Sequence, residues 1–377
     1  MQKEKIIQEL EELKNDNRLR TIKTNDKSLY NFSSNDYLGL AHDKDLLQKF
    51  YQNYSFDNYK LSSSSSRLID GSYLTVMRLE KKVEEIYGKP CLVFNSGFDA
   101  NSSVIETFFD KKSLIITDRL NHASIYEGCI NSKAKILRYN HLDINALEKL
   151  LKKYSKDYDD ILVVTETVYS MDGDCAEIKK ICDLKDEYKF NLMVDEAHSY
   201  GVFGYGIAYN EKLIDKIDFL VIPLGKAGAS VGAYVICDEI YKNYLINKSK
   251  KFIYSTALPP VNNLWNLFVL ENLANFQDKI EKFQELITFS LNILKRLNLK
   301  TKSTSHIISI IIGDNLNTVN LSNNLKELGY LAYAIKEPTV PKDTARLRIS
   351  LTADMKKEDI EKFFKTLKAE MKKLGVI

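Results

Sequence analysis

Apolar residues along this chain follow two alternating patterns. Helical spacing marks "LTVMRLEKKVEEIYG", "FDANSSVIETFF", "HASIYEGCINS", "INALEKLLKKYSKD" and "CAEIKKICDLKDEYK". Between and after them stand short apolar runs: "PCLVFNSG", "SLIITD", "AKILRY", "DILVVTETV", "FNLMVDEA", "DFLVIPLG" and "GAYVICD". Runs of strand length, apolar on both faces and separated by helices, predict a mostly parallel sheet covered by helices on both sides. Its crossovers should be right-handed. The last hundred residues change style. "HIISIIIG", "LAYAI" and "ARLRISLT" read as strands, and "NTVNLSNNLKELGY" and "KKEDIEKFFKTLKAEMKKLG" as helices, which predicts a small α+β domain. At the other end, residues 1 to about 20 read as an amphipathic helix and "SLYNFSSNDYLGL" as a strand and turn. The expected division is an N-terminal segment (1–42), a large α/β domain (43–277) and a small domain (278–377). The one low-complexity tract, Ser62 to Ser66, reads as a flexible loop.

Composition narrows the function. The chain of 377 residues has 54 basic and 51 acidic side chains, a net charge of +3. That balance argues against nucleic acid as a partner, which calls for a basic stripe. No apolar run is long enough to span a bilayer, and the first twenty residues lack the continuous apolar stretch of a secretory signal. Five scattered cysteines with no Cys-x-x-Cys point to reduced thiols rather than disulfides or a metal site. The expectation is a cytoplasmic protein that binds neither membrane nor metal.

The stretch "LMVDEAHSYG" (192–201) carries the sharpest question. Asp-Glu-Ala-His also occurs in helicases, where the acids hold Mg²⁺ beside a nucleotide. Those enzymes need a G-x-x-x-x-G-K-[ST] phosphate loop. The nearest candidate, "PLGKAGAS", has Ala after its Lys, and Phe219-Leu220 stand where the first glycine belongs. A different chemistry uses the same residues. Asp195 ends an apolar run, so its desolvated carboxylate favours a cationic partner. Lys226 follows 31 residues later in a loop of small residues. Gly97 joins a strand to a helix in "NSGFDAN", where backbone amides can receive a phosphate. His122 and His198 also follow strands. Ligands of parallel sheets bind beyond the carboxyl ends of the strands, where all these candidates fall. A Schiff-base lysine, a carboxylate for a pyridine nitrogen, a ring to stack on it and a phosphate cradle together fit pyridoxal 5′-phosphate.

The sequence resembles the α-oxoamine synthases, a branch of the aspartate-aminotransferase-like pyridoxal phosphate enzymes. The resemblance rests on "NFSSNDYLGLAHD", "SGFDAN", "DRLNHASIYEG", "VTETVYSMDGD", "VDEAHSYGVFG", "LGKAGASVGAY", "FIYSTALPP" and "PTVPKDTARLRISLTA", which stand in the family's order over nearly the whole chain. It implies the fold type I architecture of pyridoxal phosphate enzymes and a homodimer. It implies that Lys226 holds the cofactor, Asp195 pairs with the ring nitrogen, and His122 stacks on the ring. His198 and Ser170 would contact the phenolic-oxygen side. Gly97 and Phe98 would offer amides to the phosphate. Arg348 would bind the amino-acid carboxylate, with Arg346 expected on the opposite face of the strand. Arg20, Thr339 and Asn35 would meet the acyl substrate. Ser255 and Thr256 would reach the phosphate of a partner subunit. "SSNDYLGL", "YSMDGD" and "PTVP" most resemble the branch that condenses L-alanine with a pimeloyl thioester, carried by coenzyme A or an acyl carrier protein. The alternatives are a member using glycine with acetyl-CoA and a non-catalytic partner subunit that keeps only the fold. Three departures from the family pattern bear on cofactor affinity: Pro223 replaces a usual Thr, Val76 a common His, and the loop before "SRL" is all serine.

Overall fold

The apolar runs become strands in the computed structural model, which describes residues 2–22, 24, 26, 28–54 and 60–377. A helix, Gln2–Asn15, buries none of its residues and precedes a two-residue strand, β1 (Tyr30–Asn31). Seven strands follow: β2 (Cys91–Phe94), β3 (Leu114–Asp118), β4 (Lys135–Tyr139), β5 (Ile161–Glu166), β6 (Asn191–Asp195), β7 (Phe219–Pro223) and β8 (Ala233–Cys237). They form one sheet in the order β2-β8-β7-β6-β5-β3-β4. Neighbours pair in parallel except around β8, which runs antiparallel to both β2 and β7. The reason is local. The parallel crossovers carry the helices Gly97–Phe108, Ala123–Ser132, Ile144–Tyr154 and Ile178–Glu187. The link from β7 to β8 is too short for a helix, so the chain must turn back.

Six of these strands, β2, β3, β5, β6, β7 and β8, are buried at nearly every position. Leu92, Ile115, Leu162, Met193, Val221 and Val235 pack into one core with the helices that cover them. At the edge, β4 instead exposes Lys135 and Arg138, charges that discourage pairing with another sheet. The serine tract belongs to this unit and is pinned there, contrary to the flexible-loop expectation. Ser63 is buried and donates its hydroxyl to the Ala257 carbonyl at 2.6 Å. The Ala257 N–H donates to the Ser65 carbonyl at 2.9 Å.

A second unit is built on a three-stranded antiparallel sheet. Strands β9 (Ile307–Gly313), β10 (Tyr330–Leu331), β11 (Tyr333–Ile335) and β12 (Ala345–Ser350) complete the chain. β12 lies between β11 and β9, while β10 pairs in parallel with β1. "LAYAI" is therefore two strands in two sheets, divided at Ala332. Phe32 stacks on Phe363 of the helix Lys357–Lys373, with ring centroids 3.9 Å apart. The first thirty-five residues and Lys282–Ile377 group together, joined by the short segment Ser170–Asp174; Asp36–Tyr169 and Cys175–Glu281 form the larger unit. These boundaries differ from the expected 1–42, 43–277 and 278–377, because the N-terminal segment earns its burial through β1 and Phe32 inside the smaller unit. No helix among the described residues is long and apolar enough to cross a membrane.

Candidate active site

The larger unit gathers its chemistry at the carboxyl edge of the sheet. Asp195 ends β6 and Glu166 ends β5, paired in register. Asp195 is 3% exposed. Its Oδ2 accepts from Asn101 Nδ2 at 2.6 Å and its Oδ1 from the Ala197 N–H at 2.8 Å. The carboxylate is thus fixed in direction by two donors. Lys226 lies in the turn between β7 and β8, and its charge acts on both His122 and Glu166. Asp195, Glu166, Lys226 and His122 are therefore one electrostatic cluster drawn from four separate segments.

His122 caps the helix Ala123–Ser132. The Ser124 N–H donates to its Nδ1 at 3.2 Å, and the Ser124 hydroxyl lies 2.8 Å from the same nitrogen. An accepting Nδ1 requires the neutral ring. Desolvation of that edge, together with the charge of Lys226, pushes the imidazole below its usual value against the pull of Asp195. The residue as a whole is exposed. The His122 N–H donates to Glu166 Oε1 at 2.5 Å. Burial, and then the neighbouring Asp195, hold the Glu166 carboxyl well above the carboxylate range. His198 is buried, with its Nδ1 2.6 Å from the Tyr37 hydroxyl.

Gly97 and Phe98 open the helix Gly97–Phe108, capped by the Ser96 hydroxyl, which accepts from the Asp99 N–H at 3.0 Å. First-turn amides have no acceptor inside their own helix and are available to an anion. Gly97 has no room for a side chain, since a Cβ there would come within 2.6 Å of Pro223. The proline that replaces the family's threonine thus packs directly on the first residue of the cradle. Val76 is buried in the helix Leu74–Tyr87. Thr256 bridges to Ser66, and its carbonyl accepts from Asn95 Nδ2 at 2.6 Å; Ser255 and Asn95 line one small cavity.

The remaining candidates belong to the smaller unit. Arg348, 8% exposed, donates from Nε to the Ser170 carbonyl at 2.6 Å and from Nη1 to the Ser350 hydroxyl at 2.7 Å. Arg346 is 4% exposed and forms an ion pair with Asp172 at 2.6 Å. Both arginines reach the same short segment, which corrects the expectation that Arg346 faces away. Residues two apart on a strand share a face. Arg20 Nη2 donates to the Thr339 hydroxyl at 2.8 Å, so two residues expected at the acyl substrate meet across nearly the whole sequence. Asn35 is half-buried at the end of this unit's first segment. Sequence reasoning missed Asn101, Tyr37, Ser124 and Glu166. Asn101 was legible, because it stands one helical turn beyond Gly97 and so shares its face.

A model of the aminotransferase class I and II family matches residues 27–367. The chain belongs to that family, in its α-oxoamine synthase branch. A protein from Pasteurella multocida with the provisional name 8-amino-7-oxononanoate synthase is 41% identical over 92% of both chains. One from Haemophilus influenzae with the same provisional name is 40% identical over 91% of this chain and 92% of its own. Among solved structures, serine palmitoyltransferase of S. paucimobilis with bound PLP and myriocin aligns with a TM-score of 0.89 at 25% identity, covering 99% and 98% of the two chains. The 8-amino-7-oxononanoate synthase of Francisella tularensis aligns with a TM-score of 0.78 at 29% identity, covering 92% and 99%. The fold is that of the aspartate-aminotransferase-like enzymes.

Pyridoxal 5′-phosphate fits the residues present. Asp195 is a buried carboxylate, already oriented, that suits a protonated ring nitrogen. Gly97 and Phe98 would offer first-turn amides to the phosphate, and a Cβ at Gly97 would meet Pro223. Lys226 brings an amine into the same cluster.

Proposed function

We propose that this α-oxoamine synthase condenses L-alanine with a pimeloyl thioester, giving 8-amino-7-oxononanoate, CO₂ and the free thiol of coenzyme A or acyl carrier protein. The observation that carries the reading is the 41% identity to the Pasteurella protein across 92% of each chain. The reading includes a cytoplasmic homodimer and a place in biotin synthesis.

When bound, pyridoxal phosphate supplies an electron sink for a carbanion at the amino-acid Cα. Lys226 would hold the cofactor at rest, and its free amine would be the base that takes the Cα proton. Asp195 keeps the proton on the ring nitrogen, and the two donors on its oxygens prevent it from turning away. His122 gives the cofactor a neutral ring face to stack on. His198, paired with the Tyr37 hydroxyl, and Ser170 are assigned the phenolic oxygen. Arg348 is assigned the alanine carboxylate, a task suited to a planar two-pronged donor. Arg20, Thr339 and Asn35 are assigned the acyl group. The new carbon–carbon bond joins alanine Cα to the thioester carbonyl and expels the thiolate. The resulting β-keto acid loses its carboxyl as CO₂, and the carbanion left behind takes up a proton.

The serine palmitoyltransferase likeness favours a second reading, serine with a long-chain thioester. Thiol release separates the two, along with glycine and acetyl-CoA. Purified protein with pyridoxal phosphate is offered alanine, glycine or serine with pimeloyl-, acetyl- or palmitoyl-CoA. Fast release with alanine and pimeloyl-CoA alone supports the proposal. Fast release with serine and palmitoyl-CoA, or glycine and acetyl-CoA, moves the assignment. No release from any pair, by protein that binds the cofactor, favours a non-catalytic subunit.

A further inference from the structure

The second acid of "LMVDEAHSYG" takes no part in the chemistry above, yet Glu196 is fully buried. Its backbone is fixed. Its N–H donates to the Val221 carbonyl at 2.8 Å, and its carbonyl accepts from the Ser199 and Tyr200 N–H groups at 3.1 Å each. The side chain therefore leaves a rigid turn with Asp195 before it and His198 after it. Glu196 Oε1 accepts from the Ala208 N–H at 2.7 Å. The other oxygen, Oε2, presses on Gly206, where a Cβ would lie only 1.6 Å away. Oε2 has no hydrogen-bond partner among the described residues. A full negative charge is costly on such an oxygen, whereas a protonated acid is far cheaper to bury. The loop that this contact closes touches the lysine's turn: a Cβ on Gly201 would lie 2.5 Å from the Cβ of Ala227, the residue after Lys226.

We propose that Glu196 is a positioning residue that works as a neutral acid. Its carboxyl holds Gly206–Ala208 against the turn that presents Asp195 and His198, and losing its proton loosens that turn and the cofactor with it. The inference rests on the reading that this site holds pyridoxal phosphate. Burial, with the charge of Asp195, pushes the carboxyl up to about 8, against the pull of the Ala208 and Ile207 amides and of Ser199. The ionisable groups acting with it are Asp195, from its own turn, and Tyr87, from the helix Leu74–Tyr87. Burial keeps Tyr87 neutral. Because the folded value is raised, the contribution is present at low pH and is lost as pH rises through that value.

The test compares wild type, Glu196→Gln and Glu196→Ala. Gln keeps the neutral shape and cannot ionise. Fluorescence titration with pyridoxal phosphate should show wild-type affinity falling by up to about tenfold from pH 7 to pH 9, the limit for one proton lost at that value. Glu196→Gln should hold its affinity over that range, and Glu196→Ala should bind weakly at both. The infrared difference between wild type and Glu196→Gln should contain a protonated-carboxyl band that titrates out in the same range. An alkaline loss in Glu196→Gln equal to that of wild type overturns the proposal, as does absence of the infrared band. Wild type that binds no cofactor at pH 7 instead overturns the cofactor reading, while the infrared titration still reports on Glu196 itself.

Discussion

Asp195 depends on Asn101 more than on any other side chain the structure shows. Asn101→Ala removes the donor 2.6 Å from Oδ2 and leaves a buried acceptor unmet, at a cost of about 1–3 kcal/mol. Cofactor affinity should fall roughly 5- to 150-fold, as read by titration. Unchanged affinity would mean that the Ala197 N–H alone orients the carboxylate. His122 carries a pH prediction of the opposite sense to Glu196. Its value is lowered from 6.5, so its contribution is complete above 6.5 and is lost as pH falls through the lowered value. His122→Phe keeps a stacking ring without the proton. It should remove the acid limb of the cofactor-affinity profile, and an acid limb as steep as that of wild type would show that another group titrates there.

At the scale of elements, the segment Ser170–Asp174 concentrates the consequences. Gly173 adopts φ +70°, and a Cβ there would sit 1.8 Å from the Ile307 carbonyl oxygen. The Ser305 hydroxyl and the Thr304 N–H both donate to the Gly173 carbonyl. Gly173→Ala should therefore lower the thermal midpoint sharply, as overpacking of about 1–3 kcal/mol is added to a disfavoured backbone. Arg346→Ala strands Asp172 and should cost about 3–5 kcal/mol, the range for breaking a buried pair. An unchanged midpoint in either variant would mean that the segment is not held as described. None of this was legible from "YSMDGD", whose partners in β9 and β12 lie more than a hundred residues away. The strands of the large sheet were legible, because burial on both faces leaves continuous apolar runs such as "ILVV". The serine tract misled, because composition records polarity and not the Ala257 carbonyl and N–H that satisfy it. "LAYAI" misled because one apolar run serves two sheets.

The whole molecule unites residues from both ends of the chain, and a linear division at 42 and 277 misses that. Candidate site residues were legible where a block of sequence carried them, as with Lys226, Asp195 and Gly97. Their partners were less so, because a hydrogen bond between Tyr37 and His198 leaves no trace in spacing. A homodimer in which Ser255 and Thr256 serve the partner's cofactor makes a prediction at this scale. Lys226→Ala subunits mixed with Ser255→Ala/Thr256→Ala subunits should give mixed dimers with one intact site, and more activity than either variant alone. No gain on mixing would place those side chains in their own subunit's site. The most direct measurement is borohydride trapping of the cofactor, followed by digestion and mass spectrometry. One labelled peptide containing Lys226, with the label lost from it when L-alanine precedes the reductant, is the expected result. Label on other lysines, or label that alanine does not displace, would contradict the assignment of this site.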